Sequence, residues 1–349
     1  MSGSTGFFGI HLLRELIGSG EDKVACLMRD GSRERMDKYL DYYFGDEAKE
    51  LSEHVEIIRG NIEDAKLGMT AEEYDALAAR IDKVWHAAAD VRHYTSDEES
   101  YMKTNVVGTE NMINFAKTAG ASFYHISTCS VSGEAMKDKS RDAKFTEDDY
   151  DIGQIWENNI YIKSKFLAEG LVFMAKGEGL DAKIFRLGRL CGRASDGKFQ
   201  INPSTNAFYL FMKGFSQIGA LPEDAADVKL DVMPIDVCAR EAFALSESED
   251  SVFHIMNPDP PGFGEIMQAV CEECLIVNNM QFGEIFRENC RKLDSGLLGF
   301  IMNNWRLIGS QQHAIEVTNE KTVEALKKSG FVPPVLDLGV VLKEFGKGE

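Results

Sequence analysis

The chain has 349 residues, 44% of them hydrophobic, with a formal net charge of −19 and seven cysteines. A chain of this length can bury a sizeable core in one large or two modest domains. The acidic balance argues against nucleic acid as a partner, because phosphate binding needs a basic surface. No run of the sequence reaches the roughly 18 apolar residues of a membrane span. An odd number of cysteines fits a reducing compartment, so we predict a cytoplasmic protein without a membrane partner.

The chain opens on a glycine-rich turn. Gly3, Gly6 and Gly9 are spaced three apart, and an apolar helical pattern follows them. Glycine lets the backbone approach a phosphate closely, and the helix behind the turn offers free N–H groups and a positive dipole end. The spacing therefore predicts a phosphate-binding turn, with an ordinary turn before a helix as the alternative.

Short apolar runs then alternate with helical patterns as far as about residue 190. The runs have the character of buried parallel strands and cover 23–28, 55–60, 83–88, 122–127 and 182–187. This alternation predicts an α/β fold with a Rossmann-type doubly wound parallel sheet. Beyond it, 228–245 indicates a strand, a turn and a helix, 251–257 a late strand, and the last ninety or so residues are mostly helical.

We expect two domains from this organisation. The dinucleotide-binding domain would take residues 1–190 plus about 227–256, and a smaller, mostly helical C-terminal substrate domain about 191–226 plus 257–349. The first strand of such a sheet is central, yet the sequence starts in the turn that should follow it, so this strand is expected to be missing. Because buried unpaired backbone groups cost about 1–3 kcal/mol each, we expect the chain to be part of a longer protein, unless another segment fills the position.

Basic side chains follow the second expected strand, where the adenosine ribose of a dinucleotide would lie. Arg29, Arg33 and Arg35 are found there, and arginine at this place favours a 2′-phosphate, whereas an acidic residue favours a free 2′-hydroxyl. Arg29 comes first, which favours NADPH, while Asp30 directly after it leaves NADH open. A solvated charged loop is the alternative.

A candidate catalytic group begins with the stretch "YIKSK". It puts Tyr161 and Lys165 four residues apart, on one face of a helix. A nearby ammonium lowers the pKa of a phenol, which makes tyrosine a better acid–base catalyst. Thr128 follows an apolar strand at the carboxyl end, where open α/β sheets place their ligands, and its hydroxyl can hydrogen-bond a carbonyl oxygen.

The sequence does not indicate a metal site. Cys271 and Cys274 lack further ligands at zinc spacing, so we predict two buried helix cysteines and no metal.

With these parts in order, the chain resembles an extended short-chain dehydrogenase/reductase. Within that superfamily it is similar, over nearly its whole length, to the terminal thioester reductase domains of nonribosomal peptide synthetases. The stretches that carry the similarity are "STGFFGIHLLREL", "HAAADVRHY", "NVVGTEN", "STCSVSG", "RLGRLCGRASDGKFQINPSTNAF", "MPIDVCAREA" and "NEKTVEALKKSGFVPP". The end domains of carboxylic acid and aminoadipate reductases are close competitors.

The resemblance implies roles for individual residues. Thr128, Tyr161 and Lys165 match the family's catalytic triad, and Arg29 matches its 2′-phosphate contact. The remaining expected cofactor contacts are Gly3, Ser4, Thr5, Gly6, Phe7, Phe8, Gly9, Arg35, Asn61, Ile62, Ala87, Ala88, Asn105 and Leu187. Two positions depart from the family: Asn61 stands where Asp is usual, and Arg189 stands where Asn is usual. Arg189 could narrow the pocket or pair with an acid such as Asp236.

The implied reaction is reductive release of an acyl or peptidyl chain from a phosphopantetheine thioester, giving an aldehyde and then, with a second hydride, an alcohol. The partner would be an upstream carrier domain of the same synthetase, and the excised domain would be monomeric. The segments 136–144 and 321–328 are basic enough to dock an acidic carrier, with a solvated face as the alternative for each. Two alternatives remain. One is an enzyme of the same fold that acts on a free small molecule, and the other is a regulator that binds NADP(H) without catalysis.

Overall fold

The computed structural model describes residues 1–20, 23–91, 97–138, 143–271, 273–304 and 315–346. Strands within these ranges are short, and most follow the apolar runs of the sequence. They are β1 Val24–Met28, β2 Val55–Arg59, β3 Lys83–His86, β4 Ser122–Thr128, β5 Lys144–Phe145, β6 Ala182–Leu187, β7 Leu190–Cys191, β8 Ala220–Pro222, β9 Met233–Pro234, β10 Val252–Ile255, β11 Leu275–Val277 and β12 Glu316–Val317.

The helices fill the intervals between the strands and most of the C-terminal part. They are α1 Phe7–Gly18, α2 Arg33–Phe44, α3 Ala48–Glu53, α4 Ala71–Ala78, α5 Glu98–Tyr101, α6 Gly108–Ala119, α7 Ile160–Gly177, α8 Ala207–Ile218, α9 Glu223–Ala226, α10 Ile235–Leu245, α11 Phe263–Val270, α12 Asn279–Asn289, α13 Ser295–Asn304, α14 Glu320–Lys328 and α15 Leu338–Val341. A π-helical turn, Met102–Val107, leads into α6. Of the described helices, none combines the length and the apolar character that crossing a bilayer requires.

The main sheet is parallel throughout. On one side β1 pairs with β2, and on the other β3, β4, β6 and β10 follow in that order. Helices between successive parallel strands cover both faces of the sheet, as the connection of parallel strands requires. The predicted doubly wound α/β fold is confirmed. The strand expected within 228–245 is reduced to the two residues of β9, and the helix expected there is α10.

Met1 and Ser2 join the two parts of the sheet at its centre. The Leu27 backbone N–H donates to the Met1 carbonyl at 2.8 Å, and the Ser2 N–H donates to the Trp85 carbonyl at 2.9 Å. Next to these two residues, the space between β1 and β3 is lined by apolar side chains such as Val84 and Phe115. Among the described segments, Met1–Ser2 is the one that pairs here.

The apolar core of the described residues has two main regions. One lies on both faces of the main sheet, and the other lies among α8, α11, α13 and α15. One segment departs from the predicted boundaries: α14 was expected in the substrate domain, but its Ala325 and Leu326 pack in the core of the main sheet. The cysteine prediction is also corrected, because Cys271 and Cys274 follow the end of α11 and are only half-buried.

Candidate active site

The glycine turn lies directly against the backbone that follows β3. Gly3 has a φ of +75°, and a Cβ built on it would lie 2.5 Å from the Ala87 carbonyl carbon and the Ala88 nitrogen. A Cβ on Gly9 would lie 2.0 Å from the Gly3 carbonyl oxygen. Both positions therefore require glycine, because any larger residue would displace backbone. The expected contacts Ala87 and Ala88 are thus brought next to the turn, with Ala87 N–H donating to the Ser2 carbonyl at 3.2 Å.

Helix α1 starts at Phe7, directly after this turn. Gly6 precedes the helix and supplies no side-chain cap, so the groups that a cap would satisfy are open to an anion. Gly6 is exposed and Thr5 half-buried, whereas the Ser4 and Phe8 side chains are buried. Phe8 can therefore contribute only its backbone to a ligand at the turn.

At the expected adenosine end, the three arginines and Lys103 differ in how they are paired. The Arg29 side chain, at the end of β1, is 75% exposed, and its nearest carboxylate oxygen, on Glu63, is 4.0 Å away. Lys103 reaches the same carboxylate at 3.4 Å. Arg35 pairs with Asp30 at 3.3 Å. Arg33 is used elsewhere, since its guanidinium donates to the Val55 carbonyl at 2.7 Å.

Asn61 and Ile62 follow β2, as the resemblance requires of residues beside an adenine. The side-chain oxygen of Asn61 accepts from the Glu63 N–H at 3.2 Å, and its side-chain NH₂ group donates to the Asp64 carboxylate at 3.0 Å. The side chain therefore shapes the turn after β2. Ile62 is buried and packs against Gly108 at the start of α6.

Thr128 and Tyr161 meet at the carboxyl end of the sheet. Thr128 is the last residue of β4, in register with Leu187 of β6, and Tyr161 lies in the first turn of α7. Tyr161 is close enough to Thr128 for the Thr128 side chain to lower the pKa of the phenol, against the larger effect of burial. The Thr128 hydroxyl also accepts from the Ser130 N–H at 3.2 Å. Leu187 itself is buried, so at this edge it offers backbone only.

Lys165 lies one turn after Tyr161, and its ammonium is buried within the protein. It donates to the Ile126 carbonyl at 2.7 Å and lies 3.2 Å from His125 Nε2. Burial lowers the pKa of Lys165 to about 8. Burial also raises the pKa of Tyr161 to about 12, so the expectation that Lys165 lowers the pKa of that phenol is wrong for this structure. The ammonium is held by the β4 backbone, and burial of the phenol dominates.

Asn105 connects the loop after β3 to the catalytic helix. It lies in the π-helical turn Met102–Val107 and is buried. Its side-chain oxygen accepts from the Asp90 N–H at 2.7 Å, and its side-chain NH₂ group donates to the Ser164 hydroxyl at 2.8 Å. Ser164 in turn donates to the Tyr161 carbonyl at 2.8 Å. Asn105 thus fixes the start of α7, and π-turns of this kind are frequent at functional sites.

Arg189 extends from the end of β6 toward the smaller domain. Its guanidinium lies 5.6 Å from the centre of the Phe208 ring, and its backbone N–H donates to Asp231 at 2.7 Å. The carboxylate of Asp236 accepts instead from the N–H groups of Ala194 and Val237. The suggested pairing of Arg189 with Asp236 is therefore wrong.

The segment after β7 packs against the end of α2. Arg193 donates to the Tyr43 carbonyl at 2.6 Å, and Lys198 donates to the Tyr42 carbonyl at 2.7 Å. Phe199 is fully buried, with its ring centre 5.1 Å from that of Phe7. The first residue of α1 is therefore in contact with the segment expected to shape the acyl pocket.

His125 is the site residue that the sequence pattern did not reveal. It lies on β4, is fully buried and contacts Lys165. The available signal was a polar residue within the otherwise apolar run "FYHIS", at a position where a parallel strand is usually hydrophobic. The segment 92–96, which includes part of the motif "HAAADVRHY", lies outside the described residues.

Comparison with known proteins agrees with this arrangement. A thiolation-reductase di-domain from an archaeal nonribosomal peptide synthetase superposes with a TM-score of 0.85 at 32% identity, over 99% of this chain and 74% of that one. The terminal R domain of the myxalamid biosynthetic pathway gives a TM-score of 0.83 at 25% identity, over 98% and 88% of the two chains. A linear gramicidin synthase from Brevibacillus parabrevis is 29% identical over 98% of this chain, which spans only 7% of that protein.

The resemblance to terminal reductase domains is confirmed by these matches. The NAD-binding family described as "Male sterility protein" matches residues 1–242, which include the glycine turn, Thr128, Tyr161 and Lys165. The chain therefore belongs to this NAD-binding family and has the fold of the reductase domains of nonribosomal peptide synthetases.

Proposed function

We propose that the chain is an NADPH-dependent thioester reductase that releases an acyl or peptidyl chain, as an aldehyde, from the phosphopantetheine arm of a carrier domain. The observation that carries the proposal is that Thr128 and Tyr161 come together at the carboxyl end of the sheet, where the Thr128 side chain acts on the pKa of the Tyr161 phenol. It occurs in a fold shared with a thiolation-reductase di-domain, and these two hydroxyls can bind one carbonyl oxygen together.

The residues at the glycine turn fit a dinucleotide. The turn brings Gly3 so close to Ala87 that no side chain can intervene, and it leaves the start of α1 open to a pyrophosphate. Arg29 is exposed and only loosely paired, which suits a 2′-phosphate and favours NADPH over NADH. When bound, NADPH supplies the hydride that the reaction requires.

The protein residues act on the thioester oxygen. Thr128 and Tyr161 hydrogen-bond the carbonyl oxygen, where negative charge develops as the carbonyl carbon accepts hydride. Tyr161 is protonated at neutral pH, because its pKa is raised to about 12, so it can donate its proton to that oxygen. The resulting thiohemiacetal loses the phosphopantetheine thiol and leaves an aldehyde. Lys165 would bind the nicotinamide ribose.

The carrier partner is proposed from the relatives, which are multidomain synthetases. In the described parts of the two predicted basic segments, most lysines are already paired with carboxylates. Lys137 pairs with Glu157 at 2.7 Å and Lys144 with Glu316 at 3.4 Å. Lys321 pairs with Asp148, and Lys328 with Glu324 at 2.7 Å. These pairs favour the solvated-face alternative for both segments, so we propose that the carrier docks elsewhere.

Replacement of Tyr161 by Phe tests the proposed reaction. Tyr161→Phe removes the proton donor and one of two hydrogen bonds to the developing oxyanion, so we expect turnover to fall by about 10²–10⁴-fold. The measurement is NADPH consumption with S-acyl phosphopantetheine, free and loaded on a carrier domain, together with aldehyde detection by mass spectrometry.

Tyr74→Phe is the matched control. Tyr74 is buried on α4, and its ring packs on Phe115, so loss of its hydroxyl should leave turnover unchanged. If Tyr161→Phe reduced the thioester as fast as the wild-type protein, the proposed role of Tyr161 would be wrong. If the wild-type protein turned over free alcohols or nucleotide sugars and no thioester, the proposed substrate class would be wrong.

A further inference from the structure

We propose that His125 is a positioning residue for Lys165: its Nε2 accepts a hydrogen bond from the buried ammonium and keeps that ammonium charged and fixed inside the protein. The proposal rests on the proposed function only for what Lys165 does during catalysis. The interaction itself is a property of the folded chain and can be measured without substrate.

The geometry restricts the Lys165 ammonium to two neighbouring acceptors on one strand. Its Nζ lies 2.7 Å from the Ile126 carbonyl oxygen and 3.2 Å from His125 Nε2. The Lys165 side chain is 3% exposed and His125 fully buried. An ammonium that has lost its water must replace each lost hydrogen bond with a protein acceptor, and His125 is one of the two that the described residues provide.

The nearest carboxylate on the same helix does not take over this role. Glu169, one turn after Lys165, is held at 2.8 Å by the guanidinium of Arg186, and both residues are fully buried. Its charge is therefore already matched. The hydrogen bonds of the Lys165 ammonium therefore come from neutral acceptors, and Glu169 supports its charge only through space.

His125 must be neutral to accept this hydrogen bond, and its surroundings keep it so. Burial and the Lys165 charge hold the pKa of His125 well below its usual value. Its ring centre lies 5.5 Å from that of His86, another buried histidine, which is hydrogen-bonded to Ser2 and Thr109. From α7, Tyr161 and Glu169 are the remaining titratable groups near Lys165, and Arg186 on β6 faces Glu169.

Packing alone does not explain a histidine at position 125. With Nε2 accepting from Lys165, the proton lies on Nδ1, and this buried nitrogen has no hydrogen-bond partner in the part of the chain that the structure describes. An unpaired buried N–H is unfavourable, whereas leucine or phenylalanine would fill the same place in a parallel strand without that loss. The remaining distinctive property of the imidazole is its contact with Lys165.

The test is an NMR titration of Lys165 in protein labelled with ¹³C-lysine, the signal being assigned from its loss in Lys165→Met. His125→Leu removes the acceptor and keeps an apolar side chain, so the titration midpoint of Lys165 should fall by about 1 pH unit. His125→Gln places an amide oxygen near the position of Nε2 and should restore most of the shift. Lys183, which donates to backbone carbonyls on the other side of the sheet, serves as the internal control.

The consequence for catalysis is measured separately. Because a neutral Lys165 cannot hold the ribose as firmly, the alkaline limb of kcat/KM against pH should move to lower pH in His125→Leu and stay in place in His125→Gln. An unchanged Lys165 midpoint in His125→Leu, or an equal shift in both variants, would overturn the proposal. The proposed function fails on a different result, namely lack of thioester turnover by a wild-type protein whose Lys165 titrates as expected.

Discussion

Arg29 and Arg35 both follow β1, but the protein holds them differently. Arg35 is paired with Asp30 at 3.3 Å, and its guanidinium lies 5.9 Å from the centre of the Tyr39 ring. The Arg29 side chain is 75% exposed, and its close carboxylate, Glu63, is at the 4.0 Å limit of an ion pair and shared with Lys103. A loosely held guanidinium loses little when it exchanges its partner for a phosphate. Arg29 is therefore the better candidate for the residue that discriminates NADPH from NADH.

We predict that Arg29→Ala weakens NADPH binding by about 10–100-fold, the value of a charge-assisted hydrogen bond pair. Binding of NADH should change little, because it has no 2′-phosphate. The measurement is the dissociation constant of each cofactor by fluorescence titration. Arg35→Ala is the matched control and should have a smaller effect on the ratio of the two constants. An equal loss of NADPH and NADH affinity in Arg29→Ala would show that this arginine does not read the 2′-phosphate.

At the scale of elements, the glycine turn and the end of β3 behave as one unit. Ala87 donates to the Ser2 carbonyl, and Gly3 leaves no room for a Cβ against the Ala87–Ala88 backbone. Helix α1 is therefore placed correctly against the sheet only when the turn adopts this conformation. The start of α1, which we propose binds the pyrophosphate, is placed by the same contact.

We predict that Gly3→Ala destabilises the protein by about 1–3 kcal/mol and abolishes cofactor binding, because the new methyl group would displace backbone and the residue would keep a positive φ. The comparison is Gly18→Ala, at the other end of α1, where a Cβ meets nothing within 4 Å. That change should leave cofactor binding intact and stability unchanged or slightly higher. The measurements are chemical denaturation and fluorescence titration with NADPH. Normal cofactor affinity in Gly3→Ala would contradict the role given to the turn.

Elements of this kind were predictable from the sequence, whereas several site properties were not. The strands of the main sheet are short apolar runs, and their shortness and their β-branched and aromatic residues distinguish them from helices. The approach of Tyr161 to Thr128 also follows from the carboxyl-end rule for parallel sheets. The pKa of Tyr161 was wrongly predicted, because spacing along a helix does not tell where the Lys165 ammonium points. The role of His125 depends on a contact between β4 and α7, which no local pattern encodes.

For the whole molecule, the excess of acidic residues affects how its cations are used. Lysines of both segments predicted to dock a carrier are paired with carboxylates. Exposed pairs of this kind contribute little to stability, but they cancel the local positive charge that an acidic partner would need. With a net charge of −19, long-range attraction of an acidic carrier is also absent, so we infer that covalent linkage or apolar contacts bring the two together.

Buried histidines distributed over the molecule link its overall stability to pH. Burial lowers the pKa of His11 and His254 to about 4 and that of His86 to about 3, from the ordinary value of 6.5. These residues lie on α1, β10 and β3, so both sides of the sheet are involved. Glu241 on α10 has the opposite effect on stability as the pH is lowered, because burial raises its pKa to about 8. Burial also raises the pKa of Glu15 and of Asp231, so these carboxyls together offset part of the effect of the histidines.

We predict that the free energy of unfolding falls as the pH is lowered from about 6.5 to 4. In this range the unfolded chain binds protons at histidines that stay neutral in the folded protein, and each contributes roughly 1–3 kcal/mol. His11→Phe isolates one of them, because His11 packs among Phe7, Tyr43 and Phe44 and its Nε2 has no partner among the described residues. Chemical denaturation at several pH values should show a slope smaller by up to one proton in this variant. If the slope stayed the same, His11 would have to be protonated in the folded protein, and its aromatic surroundings would then have to stabilise a buried cation.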